Sequence, residues 1–311
     1  MKFFHKEQPA FTMLELIMVI VILGIVASIG SEVIANVYKN YILQRATFRA
    51  SIKTELAAQQ IANLLSYRVP RTTIARNPSN INDYRAVTDP TDANDTTRTL
   101  LEWIGSDNDG FSADIPPPWN GFCDVDASSQ TRIKTPGSKL TKAKTIFTKL
   151  SSTATAAIFF RDNRYDYNSS TSTTTLYNVL TCMGMVSSNR SCISTVNITD
   201  DTTLSFTGTA AGSTNKLITE HYKLALTAYS IRPTLNANGL FDLSLCYNYQ
   251  PWKGERLTNN TCPGTEATII TNVSVFKFAE SGNTFRFKLC AQENIGEDYN
   301  VTICKEKAVI L

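Results

Sequence analysis

FTMLELIMVIVILGIVASIG, residues Phe11 to Gly30, is almost wholly apolar, and one carboxylate, Glu15, interrupts it near its start. A helix of this length rises about 30 Å, enough to cross the hydrocarbon core of a bilayer. Placing a carboxylate there costs roughly 2.5–3.5 kcal/mol on insertion scales, so an ionisable residue in such a span has a function and a partner. The span itself holds no cation. A cut between Ala10 and Phe11 would supply one, an ammonium on Phe11 one helical turn from Glu15. That ammonium could pair with Glu15 of its own chain or of a neighbouring copy.

The residues around that cut, Lys6-Glu-Gln-Pro-Ala10 followed by Phe11-Thr-Met-Leu-Glu15, resemble the class III signal of type IV prepilins and type II secretion pseudopilins. The resemblance covers about the first 55 residues. It implies that a membrane prepilin peptidase cuts after Ala10, on the cytoplasmic side, and methylates the amino group of Phe11. Ala10 stands where the family most often has Gly, and both are small. The resemblance further implies an α+β, type IV pilin-like fold, with a long N-terminal helix, half of it transmembrane, packed on a C-terminal antiparallel β-sheet domain. Its expected partners are other pilins or pseudopilins through that helix and an inner-membrane assembly platform. Its expected place is the inner membrane, in a single pass, with the C-terminal domain in the periplasm and the subunit incorporated into a pilus or pseudopilus.

Two plainer readings use the same residues. A secretory signal peptide would take Lys2 and Lys6 as its charged region and Ser28-Ile29-Gly30 as its cleavage site, but a carboxylate inside the apolar region is unfavourable. A simple single-span anchor leaves Glu15 unexplained. The mature N-terminus separates the three: Phe11, Ser31 or Met1.

From Ser31 to Leu65 the chain has neither Pro nor Gly. Val37, Tyr41, Phe48, Ile52 and Leu56 recur at spacings of four or seven, which predicts one apolar face of a helix, and the downstream domain is its expected cover. Residues 11–30 and 31–65 thus read as the two halves of one helix of about 80 Å that stops before Pro70. Gly24 and Gly30 are its only breaks, each a point of bending or of close helix packing. The stretch after the span, Ser31 to Asn36, lacks the Pro that many major pilins carry there, which favours a minor subunit.

Net charge is +3, from 30 basic and 27 acidic residues, with no Lys/Arg stripe interleaved with aromatics, so no specific nucleic-acid footprint is evident. All seven cysteines lie beyond the span. In an exported domain they read as disulfides, with Cys182–Cys192, Cys246–Cys262 and Cys290–Cys304 as local pairs and Cys123 left over. There is no CxxC pair, and of the two histidines His5 lies in the leader and His221 reads as an outward-facing strand residue. With no G-x-S-x-G elbow and no phosphate loop either, neither an enzyme nor a cofactor is expected.

Residues 66–150 read as an irregular connection between helix and sheet, with Leu100 to Ile104 a short helix or strand and Pro116 to Phe122 a turn or extended segment. Asp107, Asp109 and Asp114 form half of a calcium loop without its later ligands; an Asp-Gly turn accounts for the same residues. From residue 151 to 311 the period becomes two. Tyr222, Leu224 and Leu226 alternate, as do Phe241, Leu243, Leu245 and Tyr247; Asn236 to Gly239 suits a hairpin, and a second lies at Glu280 to Asn283 between strands from Val273 to Ala279 and from Phe285 to Leu289. Thr171 to Thr175 reads as a solvated loop. This ending also resembles the C-terminal sheet of larger, J-type minor pseudopilins. Asn94, Asn168 and Asn300 lie in acidic-x-Asn-x-Ser/Thr settings, candidates for glycosylation. The function so implied is a minor pilin or pseudopilin near a fibre tip, which primes assembly. The alternatives are a tip adhesin, a subunit of a DNA-uptake pilus, and a secreted or anchored binding protein.

Overall fold

The computed structural model describes residues 12–87, 95–151, 155–160, 165–168, 173–176, 183–190, 193–207, 218–259, 261–295 and 299–310. A single helix, α1 (Met13–Ser66), runs for 54 residues. It passes both glycines without a break and ends where Tyr67 leaves helical geometry. Along the chain follow β1 (Ile74–Asn77), β2 (Asn80–Ala86), β3 (Leu100–Gly105), a single-turn helix α2 (Asn108–Phe111), β4 (Asp124–Ser129), β5 (Arg132–Lys134) and helix α3 (Leu140–Ser151). Then come β6 (Thr155–Phe160), β7 (Tyr165–Asn168), β8 (Thr173–Leu176), β9 (Ser194–Asp200), β10 (Thr203–Thr207) and β11 (Tyr222–Ala225). The last five strands are β12 (Thr227–Leu235), β13 (Phe241–Tyr249), β14 (Thr265–Ser281), β15 (Thr284–Ile295) and β16 (Tyr299–Ile310).

Eight strands form the main sheet in the order β16-β15-β14-β13-β12-β3-β1-β2, and each neighbouring pair is antiparallel. A six-stranded sheet has the order β11-β6-β9-β10-β5-β4, and β7 with β8 forms a separate ribbon. The two turns predicted from the sequence connect β12 to β13 and β14 to β15. Alternation holds at the second: Phe285, Phe287 and Leu289 are buried while Arg286 and Lys288 face solvent. The architecture is therefore a long N-terminal apolar helix packed against an antiparallel sheet domain.

Helix α1 meets that sheet through small side chains. Its buried residues are Ala46, Ala50, Thr54, Ala57, Ala58, Ile61 and Leu65. Thr54 hides its hydroxyl by donating to the carbonyl of Ala50 at 2.7 Å. The last four residues of that face share one core cluster with Trp103, Phe276, Phe285, Phe287 and Leu289. This corrects the expected cover of the Val37, Tyr41, Phe48, Ile52 and Leu56 stripe, which stays exposed; Phe48 and Leu56 show 67% and 65% of their surface. At 3.6 residues per turn the two sets lie on roughly opposite sides of the helix. The sheet brings the bulk, so at close-packed density the helix contributes the small residues.

Ion pairs mark the edges of this contact: Lys53 with Glu293 at 3.6 Å, and Glu55 with Lys305 and Lys307 on β16. The helix terminus is held more firmly. Arg68, fully buried, donates to Glu280 from Nε and Nη2 at 3.2 and 3.0 Å and to the Leu65 carbonyl at 3.0 Å, and Thr73 donates to the other Glu280 oxygen. With charges matched and hydrogen bonds filled, this pair is tolerated where a lone charge would be strongly destabilising.

The stretch 66–150, expected to be irregular, instead supplies strands to both sheets. All six residues of β3 are buried, so it has no polar face to alternate with. Its Glu102 is neutralised by Arg76, whose Nε lies 2.6 Å away, and accepts from the Tyr249 hydroxyl at 3.0 Å. Helix α3 buries Leu140, Ala143 and Phe147 beneath the second sheet, in a cluster with Ile158, Val196, Leu204 and Leu224. The Thr171 to Thr175 patch also differs from expectation: from Thr173 onward it forms β8, as β-branched residues favour.

Candidate functional site

The N-terminal end of α1 opens with a capping box. The Thr12 hydroxyl accepts from the Glu15 amide, and the Glu15 carboxylate accepts from the Thr12 amide and hydroxyl, each at 3.3 Å. Such reciprocal bonds satisfy donors that a helix start leaves open, and a carboxylate in the first turn also favours the helix dipole. These partners of Glu15 are neutral. Ala10 and Phe11, which would flank the cut, lie outside the described residues.

From Met13 to Arg45 the helix has no buried residue. It is the one described helix long and apolar enough to cross a membrane. At Gly24 and Gly30 an added Cβ would meet nothing within 4 Å, so packing within this chain does not require either glycine.

Two of the expected disulfides are present. Cys246 on β13 joins Cys262, and Cys290 joins Cys304 directly across the β15–β16 register. Cys182 and Cys192 lie outside the described residues. Cys123 is buried and free, its thiol pushed up by burial.

The three aspartates are not brought together as a cation site. Asp107 caps α2, accepting from the Gly110 amide at 2.9 Å and from the Trp119 indole N–H at 3.0 Å. Burial raises its carboxyl to about 6. Asp114 pairs with Lys142, whose hydrogen bond holds its carboxyl below the usual range. Among the described residues no group of three His, Cys, Asp or Glu side chains could hold a metal ion. His221 is exposed and bridges to Phe122. Of the three glycosylation candidates, Asn94 lies outside the described residues, Asn168 ends β7, and Asn300 is exposed on β16.

The decisive signal is thus the apolar run with its early glutamate, continuous with a helix that stands clear of the head. Residues 6–31 match the prokaryotic N-terminal methylation motif. The chain matches no curated protein and no solved structure. The methylation motif spans Ala10, Phe11, Glu15, Gly24 and Gly30. It supports a pilin-like chain anchored in a membrane by α1. Sequence reasoning missed the small-residue face of α1; the signal was Ala46, Ala50, Thr54, Ala57 and Ile61, spaced by threes and fours along the helix.

Proposed function

We propose that this chain is a minor, non-enzymatic subunit of a type IV pilus or type II secretion pseudopilus, placed near the fibre tip, where it primes assembly. The observation that carries the reading is the methylation motif at residues 6–31 running directly into a 54-residue helix with no buried residue before Ala46. Such a helix is inserted in the inner membrane in a single pass, with the head in the periplasm. It is released from its leader by cleavage between Ala10 and Phe11 and N-methylated on Phe11. It then packs among neighbouring helices. Its exposed stripe, Val37, Tyr41, Phe48, Ile52 and Leu56, offers the apolar contact surface that fibre packing requires, and Gly24 and Gly30 allow it to bend as it leaves lipid. The two-sheet head supports a low-copy position, since so large a head need not repeat along a shaft.

In the mature chain the Phe11 ammonium would supply the cationic partner that Glu15 lacks. Replacing Glu15 with Leu should leave membrane insertion intact, because it removes a polar group from the span, yet reduce recovery of the subunit in sheared or purified fibres at least tenfold. Equal incorporation of the Leu variant and the parent, read by immunoblot of membrane and fibre fractions, contradicts the pairing.

A further inference from the structure

Beside the last turn of α1, at the end away from the apolar span, lies a cavity of about 320 Å³. Three tyrosines line it: Tyr67 from the helix end, Tyr229 from β12 and Tyr247 from β13. Asp107 and Asp109 line it as well, and among the described residues no Lys, Arg or His does. One aromatic wall, Tyr229, is fixed in place. Tyr229 stacks on Trp103 with centroids 5.7 Å apart, and its ring lies over Gly105, where an added Cβ would collide with it.

A break in strand register builds the site. Ala228 pairs with Tyr249 but Ser230 pairs with Cys246, so Tyr229 faces both Tyr247 and Asn248. Asn248 takes φ of 62°, a left-handed conformation uncommon for a residue with a Cβ. Bulges of this kind re-aim side chains and cluster beside binding sites. The bulge is held by the Thr227 hydroxyl, which accepts from the Asn248 amide at 2.7 Å and the Tyr249 amide at 3.2 Å.

We propose that this cavity binds a basic side chain, lysine or arginine, presented by a segment of a partner protein. Asp109 is exposed and has no hydrogen-bond or ion-pair partner among the described residues, whereas both oxygens of Asp107 accept protein donors. A neutral ligand filling the cavity would strip water from Asp109 and return no charge. An anion would be repelled. An ammonium or guanidinium on an apolar stem meets both features of the wall: its stem covers Tyr67 and Leu150, both partly exposed, and its head lies between tyrosine faces and the Asp109 carboxylate. The inference stands independently of the fibre reading.

The test uses full-length protein in detergent micelles and ligand-observed saturation-transfer NMR. The probes are acetylated, amidated tripeptides Gly-X-Gly with X as Lys, Arg, Gln or norleucine, together with putrescine as a free amine and methyl glucoside as a neutral sugar. The Lys and Arg peptides should take up saturation along the side-chain methylenes and the others little. Asp109→Asn should weaken the Lys and Arg peptides about tenfold, while Glu306→Gln, a change at an exposed carboxylate on β16, leaves them unchanged; a circular dichroism melt matching the parent shows that each variant is folded. Norleucine or methyl glucoside binding as well as lysine overturns the proposal, as does unaltered affinity in folded Asp109→Asn. Putrescine binding more tightly than either basic peptide overturns the assignment to a protein side chain.

Discussion

At neutral pH Asp107 is a buried carboxylate with two protein donors and a second acid, Asp109, close by. Burial lifts its carboxyl from 3.8 to about 6, against the opposing pull of those hydrogen bonds. Below pH 4 the folded and unfolded chains both hold the proton. Between pH 4 and 6 the unfolded chain has released it while the folded chain retains it, so this residue's contribution falls as pH rises and is lost above about 6. The total is about 3 kcal/mol from the size of the shift. Asp107→Asn should flatten that segment of the stability profile, measured as urea midpoints from pH 4 to 7 on micelle-solubilised protein. An unchanged slope would show that another group sets it. The sequence offered an Asp-Gly turn here; the structure has instead a one-turn helix that Asp107 caps by accepting from the amide three residues on. Its second partner was not legible: Trp119 sits twelve residues away, across a loop with no periodic signal.

The contact between α1 and the main sheet fixes the next scale. Ala57, 4% exposed, shares a core cluster with Trp103 and Phe285, so a larger residue there has no free volume to enter. Ala57→Leu should lower stability by about 1–3 kcal/mol through overpacking, whereas Phe48→Ser, on the opposite exposed face, should stay within about 0.5 kcal/mol. Urea denaturation followed by tryptophan fluorescence measures both, and a larger loss from Phe48→Ser would contradict the orientation of the helix. The sequence misled at this point for a physical reason. Size and apolarity mark residues that prefer to leave water, but they do not say which surface covers them. Strand β3 shows the converse: burial on both faces erased its alternation, and Glu102 in its middle reads as polar until Arg76 and Tyr249 are brought beside it by long-range pairing. Helix α3 did carry a signal, Leu140, Ala143 and Phe147 at helical spacing, within a stretch whose Thr and Lys content otherwise suggests a connection. The hairpins were legible because turn residues and alternation agreed.

For the molecule as a whole, the parts divide the work by solvent. The first half of α1 is apolar and exposed, as a membrane span requires, its outer stripe stays uncovered by the head, and its small-residue face packs on its own sheet. The head is braced at Cys246–Cys262 and Cys290–Cys304, which suits an oxidising compartment. Every statement about assembly depends on the new amine that cleavage would place near Glu15. The direct measurement is mass spectrometry and N-terminal sequencing of protein isolated from membranes of its native host. The account predicts a mature chain that begins at N-methylated Phe11. A chain beginning at Met1 or at Ser31 would contradict it.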